Sequence, residues 1–319
     1  MQSSITIQLF YCSLSTDLLD DFSASIVRSW LPENELTKVD RFVQRSAREQ
    51  GLMVRGYLRA VLSQFAGITP QQWQFEYGEK GKPRLSAAQY KQTGIQFNVS
   101  HSGEWLLIGV IQNTIDSNTN DSGTIAFKSA DSVIAEEFGV DFGVDIERRR
   151  NSTNIHAILH HYFSFPEESA LLALPENQQR ERFFDLWSLK ESYIKAKGLG
   201  LALSLISFAF DLKNLQFCPL PVSHEPLSIA HNVSTTHKVP VTHMASSTYK
   251  LLNKELLLSD SIPLSLLCET DTKQYVAASN WQCFLGRIDQ TYRFAISVEC
   301  GAESKVVVKA KQVNFSDIL

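Results

Sequence analysis

Gly143-Val144-Asp145-Ile146-Glu147 is the stretch on which the reading of the chain turns. It reads as a short apolar strand carrying two carboxylates two residues apart. Successive strand side chains face opposite ways, so Asp145 and Glu147 share one face. Val144 and Ile146 share the other, toward a core. Two neighbouring acids repel unless a cation stands between them. A hard divalent ion such as Mg²⁺ suits that place, because it takes oxygen ligands and keeps waters and phosphate oxygens as the rest. On its own an Asp-x-Glu is common by chance and reads as a solvated strand end.

A second stretch changes that balance. It is Trp187-Ser188-Leu189-Lys190-Glu191-Ser192-Tyr193-Ile194-Lys195-Ala196-Lys197-Gly198-Leu199-Gly200-Leu201. On a helix, Glu191 and Lys195 lie four apart and share a face. Trp187, four before Glu191, is placed to wall the same pocket. Gly198 is placed to end the helix, with Lys195 and Lys197 in its last turn. The plain reading is a surface ion pair. Added to the first two acids, however, a third acid and a lysine make what a metal–pyrophosphate site requires.

Together the two stretches resemble the phosphopantetheinyl transferases of the surfactin-synthetase-activating (Sfp) type. That family carries a Gly-x-Asp-x-Glu strand and, some forty residues on, a Trp-Ser-x-Lys-Glu-x-x-x-Lys helix followed by Gly-x-Gly-Leu. Phe97-Asn98-Val99-Ser100-His101-Ser102-Gly103 and, before it, Gly81-Lys82-Pro83-Arg84-Leu85 extend the resemblance in the family's order. It covers about residues 36–112 and 140–212 well.

The resemblance implies an α+β fold of two similar α/β subdomains related by a pseudo-twofold, with the active site in the cleft between them. Residues 1–112 would form the N-terminal, coenzyme A-binding half and 113–138 a linking loop insertion. Residues 139–319 would form the C-terminal half, with the metal strand and the Glu/Lys helix. The implied reaction moves the 4'-phosphopantetheine arm of coenzyme A to a serine of an apo acyl, polyketide or peptidyl carrier protein. It is Mg²⁺-dependent and releases adenosine 3',5'-bisphosphate. Asp145, Glu147 and Glu191 would hold the Mg²⁺. Asp145, Glu191 and Lys195 would be catalytic, with Lys195 a point charge on a phosphate oxygen. Glu191, directly or through a metal-bound water, would take the serine proton. Lys38, Ser100 and His101 would meet the ribose phosphate, and Lys82 and Pro83 would border the adenine.

The bulk of the chain agrees with an enzyme of this kind. Its 319 residues are 44% hydrophobic and 20% charged, a globular composition for one large or two ordinary domains. A formal net charge of −4 argues against a nucleic-acid binder. Cys12, Cys218, Cys268, Cys283 and Cys300 are scattered, with no Cys-x-x-Cys, which points away from disulfides or zinc and toward a reducing cytosol. No apolar run is long enough to span a membrane. Ile5, Ile7, Leu9 and Tyr11 alternate with other residues and read as a first strand, not a signal peptide. The expectation is a cytoplasmic monomer without membrane or nucleic-acid partners.

Along the chain, residues 38–66 read as helix with a break near Ser46. Val54, Leu58, Val61, Leu62 and Phe65 form an apolar stripe. Arg41, Arg45, Arg48, Arg55 and Arg59 fall on another face, either solvated or a cationic wall for a polyphosphate. Glu35 stands where some family members carry a basic residue. Strands are expected at 73–77, 96–99, 105–111 and 207–212. Helices are expected at 155–163, from the capping box Ser164-Phe165-Pro166-Glu167 to Leu174, and at 179–197. Strands at 281–298 and 305–313 are expected to complete the second half's sheet. Phe138-Gly139-Val140-Asp141 half-repeats the next four residues, but only the second copy continues to Ile146-Glu147. The histidines of 213–280 match no metal template.

Two other readings stay open at this point. One is a different Mg²⁺-dependent phosphohydrolase or nuclease; the acidic balance and the Gly81–Leu85 motif speak against it. The other is a non-catalytic coenzyme A- or carrier-binding module; intact Asp145, Glu147, Glu191 and Lys195 speak against that. A Ser/His hydrolase lacks its Gly-x-Ser-x-Gly elbow.

Overall fold

The computed structural model describes residues 4–113, 139–225, 227, 255–268, 274–301 and 303–319. From residue 114 the expected 113–138 insertion lies outside them, as do His231, His237 and His243.

Ile7, Leu9 and Tyr11 point one way from strand Ser4–Ser13 while Phe10 and Cys12 point the other, and all five are buried. A strand buried on both faces belongs inside a sheet, and this one is central. The first sheet runs Ile95–Ser102, Trp105–Gln112, Ser4–Ser13, Lys305–Val313 and Val222–Ser223. Phe10 and Cys12 join the helical layer of Met53, Tyr57 and Val61. Ile7, Leu9 and Tyr11 face the second half.

The second sheet runs Phe142–Arg148, Tyr292–Glu299, Trp281–Arg287, Leu256–Ser259 and Cys218–Leu220, antiparallel throughout. Helix Glu176–Lys197 lies on it. Gly143 explains how closely: a Cβ there would collide with the Ser192 carbonyl and the Ala196 nitrogen. Only glycine lets a helix backbone settle onto a strand in this way. Gly198 ends that helix at φ 68°, its N–H donating to the Ile194 carbonyl at 2.9 Å. The capping box at Ser164 forms as the sequence predicts.

Two expectations are corrected. Lys305–Val313 does not complete the second sheet. It pairs in parallel with Ser4–Ser13 over nine residues, Ser4 opposite Lys305 through Cys12 opposite Val313. A division at residue 139 therefore does not separate the two sheets, because the last strand returns to the first. The break expected near Ser46 falls earlier, at 41–44, between helices Glu33–Asp40 and Arg45–Ser63, and the first of them starts before residue 38. The arginines of this region do not form one wall. Arg59 is fully buried on Glu35 at 2.7 Å, Arg45 pairs with Glu49, and Arg48 reaches the carbonyls of Phe42 and Val43.

Candidate active site

Strand Phe142–Arg148 carries Asp145 and Glu147, and helix Glu176–Lys197 carries Ser188, Glu191 and Lys195. Their meeting point is Asp145, which is 4% exposed. Its Oδ1 accepts from Lys195 Nζ at 2.8 Å and from Ser100 Oγ at 3.0 Å, and its Oδ2 accepts from Ser188 Oγ at 3.1 Å. The buried carboxylate thus has a cation and two hydroxyls, which is what burial of a charge demands.

The other two acids are less well compensated. Burial, then the Asp145 charge, pushes the Glu147 carboxyl up to about 7, although Arg150 lies 3.3 Å away. Burial and the Asp145 charge also raise the Glu191 carboxyl, and Lys195 opposes them. Asp145 and two carboxyls whose charge it disfavours form a set of oxygen donors that suits a hard divalent cation. Among the described residues no three His, Cys, Asp or Glu side chains are already grouped as a bound metal requires. Lys195 occupies the Asp145 Oδ1 position instead. The donor chemistry fits Mg²⁺; the ligand shell is not preformed.

A groove of about 390 Å³ is linked to this cluster through His101, which lines it and feels the Lys195 charge. Its walls include Phe42, Arg55, Tyr77, Pro83, Val99 and His101. That volume is in the range of small-ligand clefts. Burial, then the charges of Lys195 and Arg55, lowers the His101 pKa, so His101 stands in the field of both cations. Arg55 is the arginine of its helix that faces this groove. Lys38 stacks its ammonium on the Tyr77 ring, 4.4 Å from the centroid.

Several sequence-derived assignments change under this geometry. Ser100 and His101 are neighbours on one strand and so face opposite ways. His101 lines the groove, whereas Ser100 faces Asp145. The Ser100 hydroxyl accepts from Lys195 Nζ at 2.6 Å and from the Ile146 N–H at 3.2 Å while donating to Asp145. One donor and two lone pairs are then all used. Lys82 Nζ does not enter the groove: it donates to the carbonyls of Phe142 and Ala196 at 3.1 and 2.8 Å. Burial lowers its pKa to about 8. Pro83 does line the groove. Trp187 packs with Tyr162, Phe163 and Phe183 and belongs to an aromatic cluster, not a pocket wall beside Glu191.

Two motif residues gain roles that the sequence did not suggest. Ser188 holds the second oxygen of Asp145. Lys190 is fully buried on Glu167 at 2.8 Å and also donates to the carbonyls of Leu205 and Phe208. It lies one residue from Glu191, about 100° around the helix, and holds the capping box to the core.

Comparison with known proteins agrees with this architecture. Residues 141–242 match the family model of the 4'-phosphopantetheinyl transferase superfamily, and residues 20–112 match that of the 4'-phosphopantetheinyl transferase N-terminal domain. A 4'-phosphopantetheinyl transferase of Bacillus subtilis is 32% identical over 194 residues, 60% of this chain and 72% of that protein. The 4'-phosphopantetheinyl transferase Sfp of Bacillus subtilis (strain 168) is 29% identical over 203 residues, 63% of this chain and 76% of Sfp. The 4'-phosphopantetheinyl transferase HetI of Nostoc sp. is 28% identical over 172 residues, 54% of this chain and 61% of HetI. The fold and site define an α+β enzyme of two subdomains. The chain belongs to the 4'-phosphopantetheinyl transferase family, whose members act on carrier proteins with coenzyme A as donor.

Proposed function

We propose that this chain transfers the 4'-phosphopantetheine arm of coenzyme A to a serine of an apo acyl, polyketide or peptidyl carrier protein, with Mg²⁺, releasing adenosine 3',5'-bisphosphate. The observation that carries the reading is the junction of Lys195, Asp145 and Glu191 beside a groove containing His101 and Arg55. It offers an acidic cluster for a metal and cations for phosphates in one place.

The groove takes the nucleotide end of coenzyme A, with Pro83 beside the base and His101, Arg55 and Lys38 near the ribose phosphate. Asp145, Glu147 and Glu191 would hold Mg²⁺. When bound, that ion neutralises charge on the pyrophosphate. Glu191, directly or through a water, takes the serine proton. The serine oxygen forms a bond to the phosphorus that bears the pantetheine arm. The bond from that phosphorus to the bridging oxygen breaks, and adenosine bisphosphate leaves. Lys195 offsets negative charge on the phosphate oxygens. Positioning and charge supply the rate, without an enzyme nucleophile. The enzyme acts as a monomer in the cytoplasm, and among the described residues no helix is long and apolar enough to cross a membrane.

The test mixes the protein with coenzyme A, Mg²⁺ and a panel of apo carriers. The expected result is the arm's mass on at least one carrier, with an equal amount of adenosine bisphosphate and no reaction in chelator. Stabilisation by coenzyme A without transfer to any carrier overturns the reading in favour of a binding module.

A further inference from the structure

Strand Phe142–Arg148 ends the second sheet, and strand Ile95–Ser102 ends the first. On one side, the 142–148 strand is laddered to Tyr292–Glu299, with Asp141 and Arg149 bonded to that partner just beyond its ends. Its alternate N–H groups, at 144, 146 and 148, face outward. An open edge beside an active site would leave those donors unpaired.

A row of side chains from the other strand meets them. Asn98 Oδ1 accepts the Val144 N–H at 2.9 Å, Ser100 Oγ the Ile146 N–H at 3.2 Å, and Ser102 Oγ the Arg148 N–H at 3.1 Å. Gln96 grips Val140 both ways, taking its N–H at 3.2 Å and donating to its carbonyl at 3.0 Å. All three acceptors at 98, 100 and 102 are at least nine-tenths buried. Gly109, paired with Asn98 across the first sheet, makes room: a Cβ there would lie 2.5 Å from the Phe142 ring and 2.7 Å from Val144.

The row runs along the border of an apolar interface that contains Ile7, Leu9, Val144 and Phe294. Burial there would favour apolar side chains, so polar residues at every second position have another use. We propose that Asn98 and Ser102 are positioning residues for the transfer reaction. They fix the strand on either side of Asp145 and Glu147, and so set where those acids meet Lys195 and the groove. Neither touches the reacting atoms. The inference rests on the transfer activity proposed above. Displacing a reacting group by about 1 Å can cost on the order of 100-fold in rate.

The experiment compares wild type with Asn98→Leu, Ser102→Ala and Ser102→Thr. Two quantities are read: steady-state transfer from coenzyme A, per folded molecule, and amide hydrogen exchange of the free proteins. Asn98→Leu and Ser102→Ala should each lower kcat at least ~10-fold while KM for coenzyme A changes less than ~2-fold. Ser102→Thr, which keeps the hydroxyl, should restore most of the loss. Exchange at Val144 in Asn98→Leu, and at Arg148 in Ser102→Ala, should accelerate while the Ala295 amide on the laddered side keeps its rate. Unchanged exchange at Val144 and Arg148 overturns the inference whatever the activity. So does full kcat in both variants, or a Ser102→Thr as impaired as Ser102→Ala. If wild type itself fails to transfer, the functional reading falls, and the exchange data still decide whether the row holds the strand.

Discussion

Lys195 Nζ lies 2.8 Å from Asp145 Oδ1, joining the last turn of the long helix to the centre of strand Phe142–Arg148. This pair gives the buried Asp145 side chain a cationic partner. It also places a cation where phosphate oxygens would arrive. Removing Lys195 would leave Asp145 buried and unpaired, so its loss would mix stability with catalysis.

Asp145→Asn and Glu191→Ala separate the two better. Asp145→Asn keeps the side chain's size and one acceptor oxygen for Lys195 and Ser100, and Glu191 is only partly buried. Each should lose at least ~100-fold in kcat, the scale of one well-placed electrostatic group. Calorimetric titration with Mg²⁺ in the presence of coenzyme A should show weakened binding in both. Near-wild-type turnover in either at saturating Mg²⁺ removes that residue from the metal set.

His101 faces the groove in the field of Arg55 and Lys195, away from the pinned carboxylate. His101→Ala should therefore raise KM for coenzyme A several-fold and change kcat less. With dephospho-coenzyme A as donor, the mutant's extra penalty should shrink toward none. An equal penalty with both donors would mean that His101 does not meet the ribose phosphate.

The contrast between His101 and Ser100 shows what was legible in the sequence. The strand Gly143–Glu147, the helix through Lys195 and its stop at Gly198 follow from local rules of period and capping, and each forms as read. Strand alternation alone could have separated Ser100 from His101, because adjacent strand residues cannot share a ligand on one face. Lys190 was hidden for a different reason. Its neighbour Glu191 faces the site, and only the packing of helix on sheet shows which side is buried. The partner of Lys305–Val313 is a non-local choice: its apolar alternation suits either sheet. Ser188 carried no signal beyond its place in the motif.

Glu35 was legible as an oddity, an acid where a base is expected, and the fold gives it a structural duty. It is 5% exposed and holds fully buried Arg59 at 2.7 Å, with Arg55 at 3.6 Å. Arg59 also donates to the carbonyls of Pro70 and Trp73. Glu35→Ala would strand a buried guanidinium that keeps only those carbonyls. It should lower stability by about 3 kcal/mol, near the low end for breaking a buried pair. Glu35→Gln should cost less, since it keeps an acceptor for Arg59. Urea unfolding measures both, and a loss below about 1 kcal/mol in Glu35→Ala, the ceiling for exposed pairs, would show that the pair is solvated in practice.

The last prediction concerns the carrier. Arg148 ends the strand that carries Asp145 and Glu147, and Arg149 and Arg150 follow it, so the three emerge beside the acidic cluster. Arg148 and Arg150 are exposed and Arg149 is half-buried. Arg150 has local work, lying 3.3 Å from Glu147 while Arg180 holds its carbonyl at 2.9 Å. Arg148 and Arg149 are thus the pair to change, because the contact to Glu147 then survives. A basic rim beside the site fits a partner that is acidic around its modified serine. Rim charges act mainly on association, and their effect fades with salt. Arg148→Ala with Arg149→Ala should raise KM for the carrier several-fold at low salt and flatten its salt dependence, leaving KM for coenzyme A within about twofold. If coenzyme A affinity falls instead while carrier KM holds, these arginines serve the donor and the carrier docks on another face.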